Sequence, residues 1–352
     1  MAGEEEVTDG TYLKARRRSE DLPLELELSP DDLSELEYGK KVADGTTSEV
    51  YRGKYRGDEV AIKRFKMDSG LMTSQMETRK YPLELFLQEV RLLGKLIGAP
   101  NVLQYRGFSR AGDPPQFIIV TEYLDGTSLY DILHLRKFRV VDTLRKVLDV
   151  LIPLARGMAV LHNNDILHRD LKPSNVLFTS DGVLKIIDFG LARMEATDGV
   201  MTGETGSYRW SAPEVLRREH YTHKADVFSY AIVSWEVVTS RVPYEGLKPV
   251  ETAMLVGVQG ARPNPLQVKP SCPQELIDLI ELMWSEDPDQ RPDFAEIVMQ
   301  LESIAERYAR SEDDNDSVKL IADINNESRL FSWAKKKLVG GPLSPRSART
   351  PR

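Results

Sequence analysis

The chain has 352 residues, 41% hydrophobic and 29% charged, so it can bury a sizeable core in one large or two small domains. Its net charge of −8 argues against nucleic acid as the main partner, because neutralising phosphates needs a basic face. A single cysteine, Cys272, excludes an internal disulfide framework and a thiolate zinc site; a reducing compartment is expected, the cytoplasm with the nucleus beside it.

Residues 1–35 are expected to form a solvated tail. They carry an acidic start, a basic cluster (Lys14, Arg16, Arg17, Arg18) and then Leu-Pro-Leu-Glu-Leu-Glu-Leu-Ser-Pro at 22–30. No basic-then-apolar leader opens them, and the first glycine is Gly3, out of register for myristoylation. From Leu36 to Leu124 the pattern is strand-like. Val50-Tyr51-Arg52 and Val60-Ala61-Ile62-Lys63 flank a turn centred on Arg56-Gly57-Asp58, a hairpin signal. Val102–Phe108 and Phe117–Tyr123 read as two more strands around the Gly-Asp-Pro-Pro turn at 112–115. One helix interrupts them, because Leu85, Val90, Leu92, Leu93 and Leu96 recur at helical spacing. A long polar lead-in, Arg64–Pro82, precedes it.

From Ser128 onward helical spacing dominates, over Leu144–Leu161, Lys224–Thr239 and Gln274–Met283, with loop-rich sequence at 162–215. The apolar run Val227–Val238 is interrupted by Glu236 and falls short of the about 20 residues a membrane span needs, so a buried helix is expected there. A small strand-rich lobe followed by a large helical lobe implies a cleft between them, a favoured ligand site. After Arg310 the charge rises, Leu320, Ile324, Phe331, Ala334 and Leu338 fall on one helical face, and the end is expected to be disordered. The expected units are therefore a tail (1–35), a folded domain (36–305) and a charged extension (306–352). The two tails are expected to regulate or recruit, with Ser19 after three arginines, Ser344-Pro345 and Thr350-Pro351 as modification sites.

Three stretches carry chemistry: His168-Arg169-Asp170-Leu171-Lys172-Pro173-Ser174-Asn175, Asp188-Phe189-Gly190 and Ala212-Pro213-Glu214. They occur in order at suitable separations, and on them the chain resembles eukaryotic protein kinases from about Leu36 to about Leu301. The resemblance implies an α+β, bilobal protein kinase fold, with a small β-rich N-lobe, a larger α-helical C-lobe and ATP in the cleft. It implies transfer of the γ-phosphate of ATP to protein hydroxyls, with Mg2+ as the metal and a role in intracellular signalling. Asp-Leu-Lys-Pro-x-Asn resembles serine/threonine kinases. The stretches Gly206–Glu214, Lys224–Tyr230 and Trp284–Pro292 resemble the tyrosine-kinase-like group, which includes Raf-like and mixed-lineage kinases.

Phosphoryl transfer needs positioned reactants and positive charge around the phosphate oxygens. By resemblance, Lys63 holds the α- and β-phosphates and Glu89 braces it, with Glu84 as the weaker alternative. Taken alone, Lys63 reads equally well as an edge lysine with its stem packed. Asp170 is implied as the base that accepts the hydroxyl proton, and Lys172 as a cation beside the moving phosphate. Asn175 and Asp188 are implied ligands of two magnesium ions. His168 is expected to be structural. In the activation segment, Thr202 and then Thr205 are expected sites for an upstream kinase, their phosphate pairing with Arg169. The resemblance further implies that the Ser207 hydroxyl lies toward Asp170 and Lys172, that Glu214 pairs with Arg291 and that Asp226 is structural. The implied ATP site comprises Val42, Ala43, Gly45, Ser48, Val50, Ala61, Lys63, Thr121, Glu122 and Leu124. Thr121 stands behind the adenine and the next three residues form the hinge; alone, Thr121 is equally a plain β-branched strand residue.

The loop Ala43–Val50 keeps one glycine, Gly45, where the family has three; Ala43 and Ser48 replace the others. Side chains there are expected to restrict the backbone and weaken ATP binding without abolishing it. The same departure motivates an alternative, a pseudokinase scaffold with weak nucleotide binding. Lys63, Asp170 and Asp188 are all present, which favours the active enzyme. The expected partners are ATP, protein substrates with Ser/Thr and an upstream kinase, with no nucleic acid and no membrane span.

Overall fold

The computed structural model describes residues 22–45, 47–66, 82–112, 116–135, 143–190, 192–194, 207–264 and 272–311. The boundary expected at residue 35 is corrected, because residues 22–35 are built into the small lobe. Leu22 is buried in the main core, and the Leu28 N–H donates to the Phe108 carbonyl at 2.8 Å. Glu27 pairs with Arg110 at 2.7 Å. A short helix, α1 (Pro30–Ser34), follows, closed at its start by reciprocal Ser29 and Asp32 hydrogen bonds. Asp32 also accepts from Tyr55 Oη at 2.9 Å and Arg56 Nη2 at 2.5 Å. This segment is a strap laid across the lobe.

The small lobe continues with β1 (Leu36–Asp44), β2 (Ser48–Tyr55), β3 (Asp58–Phe65), α2 (Pro82–Lys95), β4 (Tyr105–Ser109) and β5 (Ile118–Glu122). The strands form one antiparallel sheet in the order β1-β2-β3-β5-β4. Arg56 and Gly57, with φ of 52° and 88°, make the tight turn that matches the strands' twist. Val60 and Ile62 pack with Leu28, Ile118 and Val120 on one face of the sheet. Ala61 and Lys63 alternate to the other face. Helix α2 buries Phe86, Val90 and Leu93, one stripe at helical spacing. The Phe86 ring meets Phe65, Phe108 and Phe117 edge-on at 5.5, 6.0 and 5.2 Å. Each such pair adds about 0.5–1.5 kcal/mol beyond burial, so the cluster fixes the rotation of α2. The strand expected from Val102 starts later. Gln104 holds the Ala99 and Val102 carbonyls in a turn, at 2.6 and 2.8 Å.

The large lobe comprises β6 (Thr127–Ser128), α3 (Leu144–Asn163), β7 (Ile166–Leu167), β8 (Val176–Phe178), β9 (Leu184–Ile186), β10 (Arg193–Met194), α4 (Pro213–Leu216), α5 (Lys224–Thr239), α6 (Pro249–Gly257), α7 (Gln274–Met283) and α8 (Phe294–Ser311). Helix α5, buried from Ala225 to Thr239, is the expected apolar helix. Glu236, the acid within its apolar run, accepts from Trp210 Nε1 at 2.9 Å and meets His134 at 2.5 Å. Gly157 lets α3 lie against β9, since a Cβ there would come within 2.7 Å of Ile186 Cδ1. Helix α8 runs past the expected boundary at 305, because Ile297, Leu301, Ile304, Ala305 and Ala309 continue one buried stripe. No described helix is long and apolar enough to cross a membrane.

Candidate active site

Strand pairing gathers most of the expected nucleotide residues on one face of the sheet. Ala43 lies opposite Val50, Val50 opposite Lys63, and Lys63 opposite Ile119. In the next row Ala61 lies opposite Thr121. Directly opposed residues share a face. Val42 falls in an irregular step of the β1–β2 register and is exposed. The expected strain in the loop is corrected here. Ala43 and Ser48 sit in extended strand, and neither adopts the left-handed φ that glycine alone takes easily. The Gly45 N–H donates to the Ser48 carbonyl at 2.9 Å, closing the hairpin to its tip.

At the other end of the cleft Thr121 is buried, and its Oγ1 donates to the Glu122 carbonyl at 3.3 Å. The Glu122 N–H donates to the Gln104 carbonyl at 2.9 Å. The Glu122 carboxylate accepts from the Gln104 N–H at 2.8 Å and pairs with the buried Lys185 at 3.2 Å. These bonds staple the segment joining the lobes to β9. Leu124 follows, half-buried, in the irregular stretch before β6.

Lys63 Nζ sits 2.8 and 2.6 Å from the two Glu89 oxygens. Glu89, not Glu84, is therefore the partner on α2. The aromatic cluster around Phe86, one helical turn away, is what holds Glu89 at this angle.

The loop between β7 and β8 carries the densest polar cluster. The Asp170 carboxylate accepts from Lys172 Nζ at 2.6 Å, Ser207 Oγ at 2.5 Å and Asn175 Nδ2 at 3.1 Å. Lys172 Nζ also donates to Ser207 Oγ at 3.0 Å. Thus Ser207, Lys172 and Asp170 form one closed triangle. His168 is fully buried; its Nδ1 accepts from the Asp170 N–H at 3.3 Å and its Nε2 lies 3.1 Å from the Ile187 carbonyl. Both ring nitrogens are occupied by backbone, in a structural arrangement. Beneath the loop, the Asp226 carboxylate accepts from the His168 and Arg169 N–H groups, each at 2.8 Å. Arg169 and Asp188 take φ of 69° and 67°, positions that cost an ordinary residue about 1–3 kcal/mol and cluster at functional sites. The two Asp226 hydrogen bonds compensate at Arg169. Burial alone would push the Asp226 carboxyl up, but the hydrogen bonds from His162 and Arg169 outweigh it and hold it below the usual carboxylate range.

Asp188 is exposed beside Gly190, and the Phe189 ring packs on His168 at 5.6 Å between centroids. The Asn175 amide nitrogen is committed to Asp170, so its oxygen is the atom left for a cation. No described group of three or more His, Cys, Asp or Glu gathers as a metal cage. Two oxygen ligands from the chain suit a hard ion such as Mg2+, which keeps waters and takes phosphate oxygens.

Thr202 and Thr205 lie outside the described residues. Glu214 and Arg291 do meet, at 2.6 and 3.0 Å. Sequence reasoning missed Lys185, His162 and the Trp210–Glu236–His134 cluster, whose partners stand far apart in the chain. An acid within an otherwise apolar helix, Glu236, was the one usable signal.

A family model for protein tyrosine and serine/threonine kinases matches residues 36–301. Serine/threonine-protein kinase STY46 of Arabidopsis thaliana is 43% identical over 275 residues, covering 78% of this chain and 45% of that protein. Serine/threonine/tyrosine-protein kinase HT1 of Arabidopsis thaliana is 38% identical over 275 residues, 78% of this chain and 68% of the relative. Serine/threonine-protein kinase TNNI3K of Homo sapiens is 37% identical, covering 77% of this chain and 31% of its own length. The chain thus spans about half the length of the first of these relatives.

Proposed function

The chain belongs to the protein tyrosine and serine/threonine kinase family, and on that premise we propose that it moves the γ-phosphoryl group of ATP onto serine and threonine hydroxyls of proteins. The observation that carries this reading is the convergence of Lys172, Ser207 and Asn175 on the Asp170 carboxylate. A carboxylate held by three donors is a fixed acceptor for the proton of an incoming hydroxyl, a role that contributes about 10²–10⁴-fold in rate. Lys172 keeps a positive charge beside that carboxylate, where oxygens of a moving phosphoryl group gain from it. Lys63, braced by Glu89, presents a second cation at the back of the cleft. Asn175 and Asp188 would hold Mg2+, which when bound neutralises charge on the phosphates. Serine/threonine preference rests on Lys172 and on the similarity to relatives that are named serine/threonine-protein kinases.

The scaffold alternative depends on Ala43 and Ser48. Since their backbone is extended, they give it little support. A cytoplasmic or nuclear setting belongs to the same proposal and rests on the cysteine usage. The test is incubation with Mg-ATP and paired peptides that differ only in carrying Ser, Thr or Tyr. Phosphate is expected on Ser and Thr, and none with Asp188→Asn. Equal transfer by wild type and Asp188→Asn would reject the enzyme.

A further inference from the structure

The hairpin over the cleft is held by charge. Lys66 follows the last residue of β3 and stands three residues past Lys63. Its Nζ donates to Asp44 Oδ1 at 2.5 Å and to the Gly45 carbonyl at 2.8 Å. Its backbone N–H donates to the Thr47 carbonyl at 2.9 Å. One residue therefore grips both limbs of the loop. A second grip lies behind it: Lys41 Nζ bridges Asp44 Oδ2 at 3.1 Å and Glu49 Oε1 at 2.6 Å, and Glu49 Oε2 accepts from Arg64 Nη2 at 2.6 Å and Tyr51 Oη at 2.9 Å. Three cations face two carboxylates. The hydrogen bonds from Lys41, Arg64 and Tyr51 hold the Glu49 carboxyl down at about 2, so the network stays ionised at neutral pH. Thr47, at the tip, lines the same small cavity as Lys63, Glu89, Phe189 and Gly190. Fixing the tip therefore fixes the roof over the end of the cleft where Lys63 and Asp188 stand.

We propose that Lys66 is a positioning residue for the nucleotide, latching the hairpin tip over the phosphate end of the cleft through Asp44 and the Gly45 and Thr47 carbonyls. Where a three-glycine loop shapes itself around phosphate by backbone freedom, this loop is pre-set by an ion network built on one glycine. The inference rests on the kinase reading above. A latched roof lowers the ordering needed when ATP binds, so loosening it raises KM for ATP and leaves kcat nearly unchanged. Exposed ion pairs contribute little each, so the expected rise in KM is modest, about two- to fivefold.

The rival account is that Lys66 is simply a cation that attracts phosphate, with Asp44 as its solvent-facing neighbour. The two accounts give opposite signs for one variant. Removing the Asp44 charge frees the ammonium and takes a negative charge from near the phosphates, so attraction alone predicts a lower KM in Asp44→Asn. The latch predicts a higher one. The experiment is steady-state phosphorylation of a serine peptide by the full chain in wild type, Lys66→Met, Asp44→Asn and the double variant. Melting curves accompany it to show that each is folded. A two- to fivefold rise in KM for ATP in both single variants is expected, with kcat within about twofold and a double variant no worse than the poorer single one. An unchanged or lowered KM in Asp44→Asn, while wild type turns over normally, overturns the latch. No turnover in wild type would instead overturn the kinase reading on which it rests.

Discussion

The Glu214 carboxylate and the Arg291 guanidinium form a two-pronged ion pair at 2.6 and 3.0 Å, and both residues are almost wholly buried. The guanidinium is fully satisfied besides, donating to the Ser285, Lys224 and Glu286 carbonyls at 2.9, 2.9 and 3.4 Å. It ties α4, at the end of the segment that carries Ser207, to the base of the large lobe. Removing one partner strands a buried charge, so Arg291→Met and Glu214→Gln are each expected to lower stability by about 3–5 kcal/mol. Denaturant unfolding of the two variants checks this; a loss below about 1 kcal/mol in both would show that the pair is not what anchors the segment.

Asp226 gives a pH dependence. Its carboxyl is held below the usual range in the folded chain, so its contribution is complete above the unfolded value, near pH 4, and is lost as pH falls through the lower folded value. Asp226→Asn leaves one of the His168 and Arg169 N–H groups without an acceptor, and is expected to destabilise by about 1–3 kcal/mol at pH 7. It should also flatten the acid limb of the stability curve. Identical acid limbs for wild type and variant would remove Asp226 from the account.

The strap makes a packing prediction. Leu22 is only 6% exposed and shares the core with α2, while Pro23 Cγ lies 2.8 Å from where a Cβ on Gly94 would stand. Leu22→Ala is expected to lower stability by about 2 kcal/mol, at the low end for a buried leucine because the strap sits at an edge. Gly94→Val should do likewise by displacing Pro23. Unchanged melting in both would return residues 22–35 to the status of a tail.

The strap was the largest part of the fold that the sequence concealed, and its concealment has a physical reason. Leu22, Leu24, Leu26 and Leu28 alternate with polar residues, a strand-like pattern, but arginines and acids before them read as solvated chain. What reveals the burial of Leu22 and Leu28 is the opposing surface of Gly94 and Phe108, which only the tertiary fold brings near. By contrast the turn at Arg56-Gly57 and the bounds of helix α5 were legible, because turn chemistry and an apolar run are local signals, although β2 and β3 run beyond the strands expected at Val50–Arg52 and Val60–Lys63. Asp170, Lys172 and Asn175 were legible as a motif. That Ser207, 37 residues away from Asp170, closes the triangle could be expected only through resemblance. Ala43 and Ser48 misled for the opposite reason: glycine's absence says which angles are disfavoured, not which angles the loop uses.

Activation by phosphate is expected between Asp188 and Glu214, at Thr202 first and Thr205 second. A phosphate brings about −1.5 to −2 charge and is expected to pair with Arg169, whose backbone Asp226 fixes. Thr202→Ala with Thr205→Ala is expected to lower the rate several-fold, with phosphate at these positions in the wild-type chain by mass spectrometry. Full activity in the double variant with no phosphate on the segment would exclude the switch.

The most direct measurement of the central claim is single-turnover transfer from Mg-ATP to a serine peptide by wild type, Asp170→Asn and Lys63→Met, beside their melting curves. Asparagine keeps the Lys172 and Ser207 contacts in shape but cannot take the proton, and methionine keeps the stem of Lys63 without its charge. Loss of about 100-fold or more in rate is expected in each, with melting within a few degrees of wild type. Wild-type rates in both variants, with melting unchanged, would contradict the assignment of this cleft as the site of phosphoryl transfer.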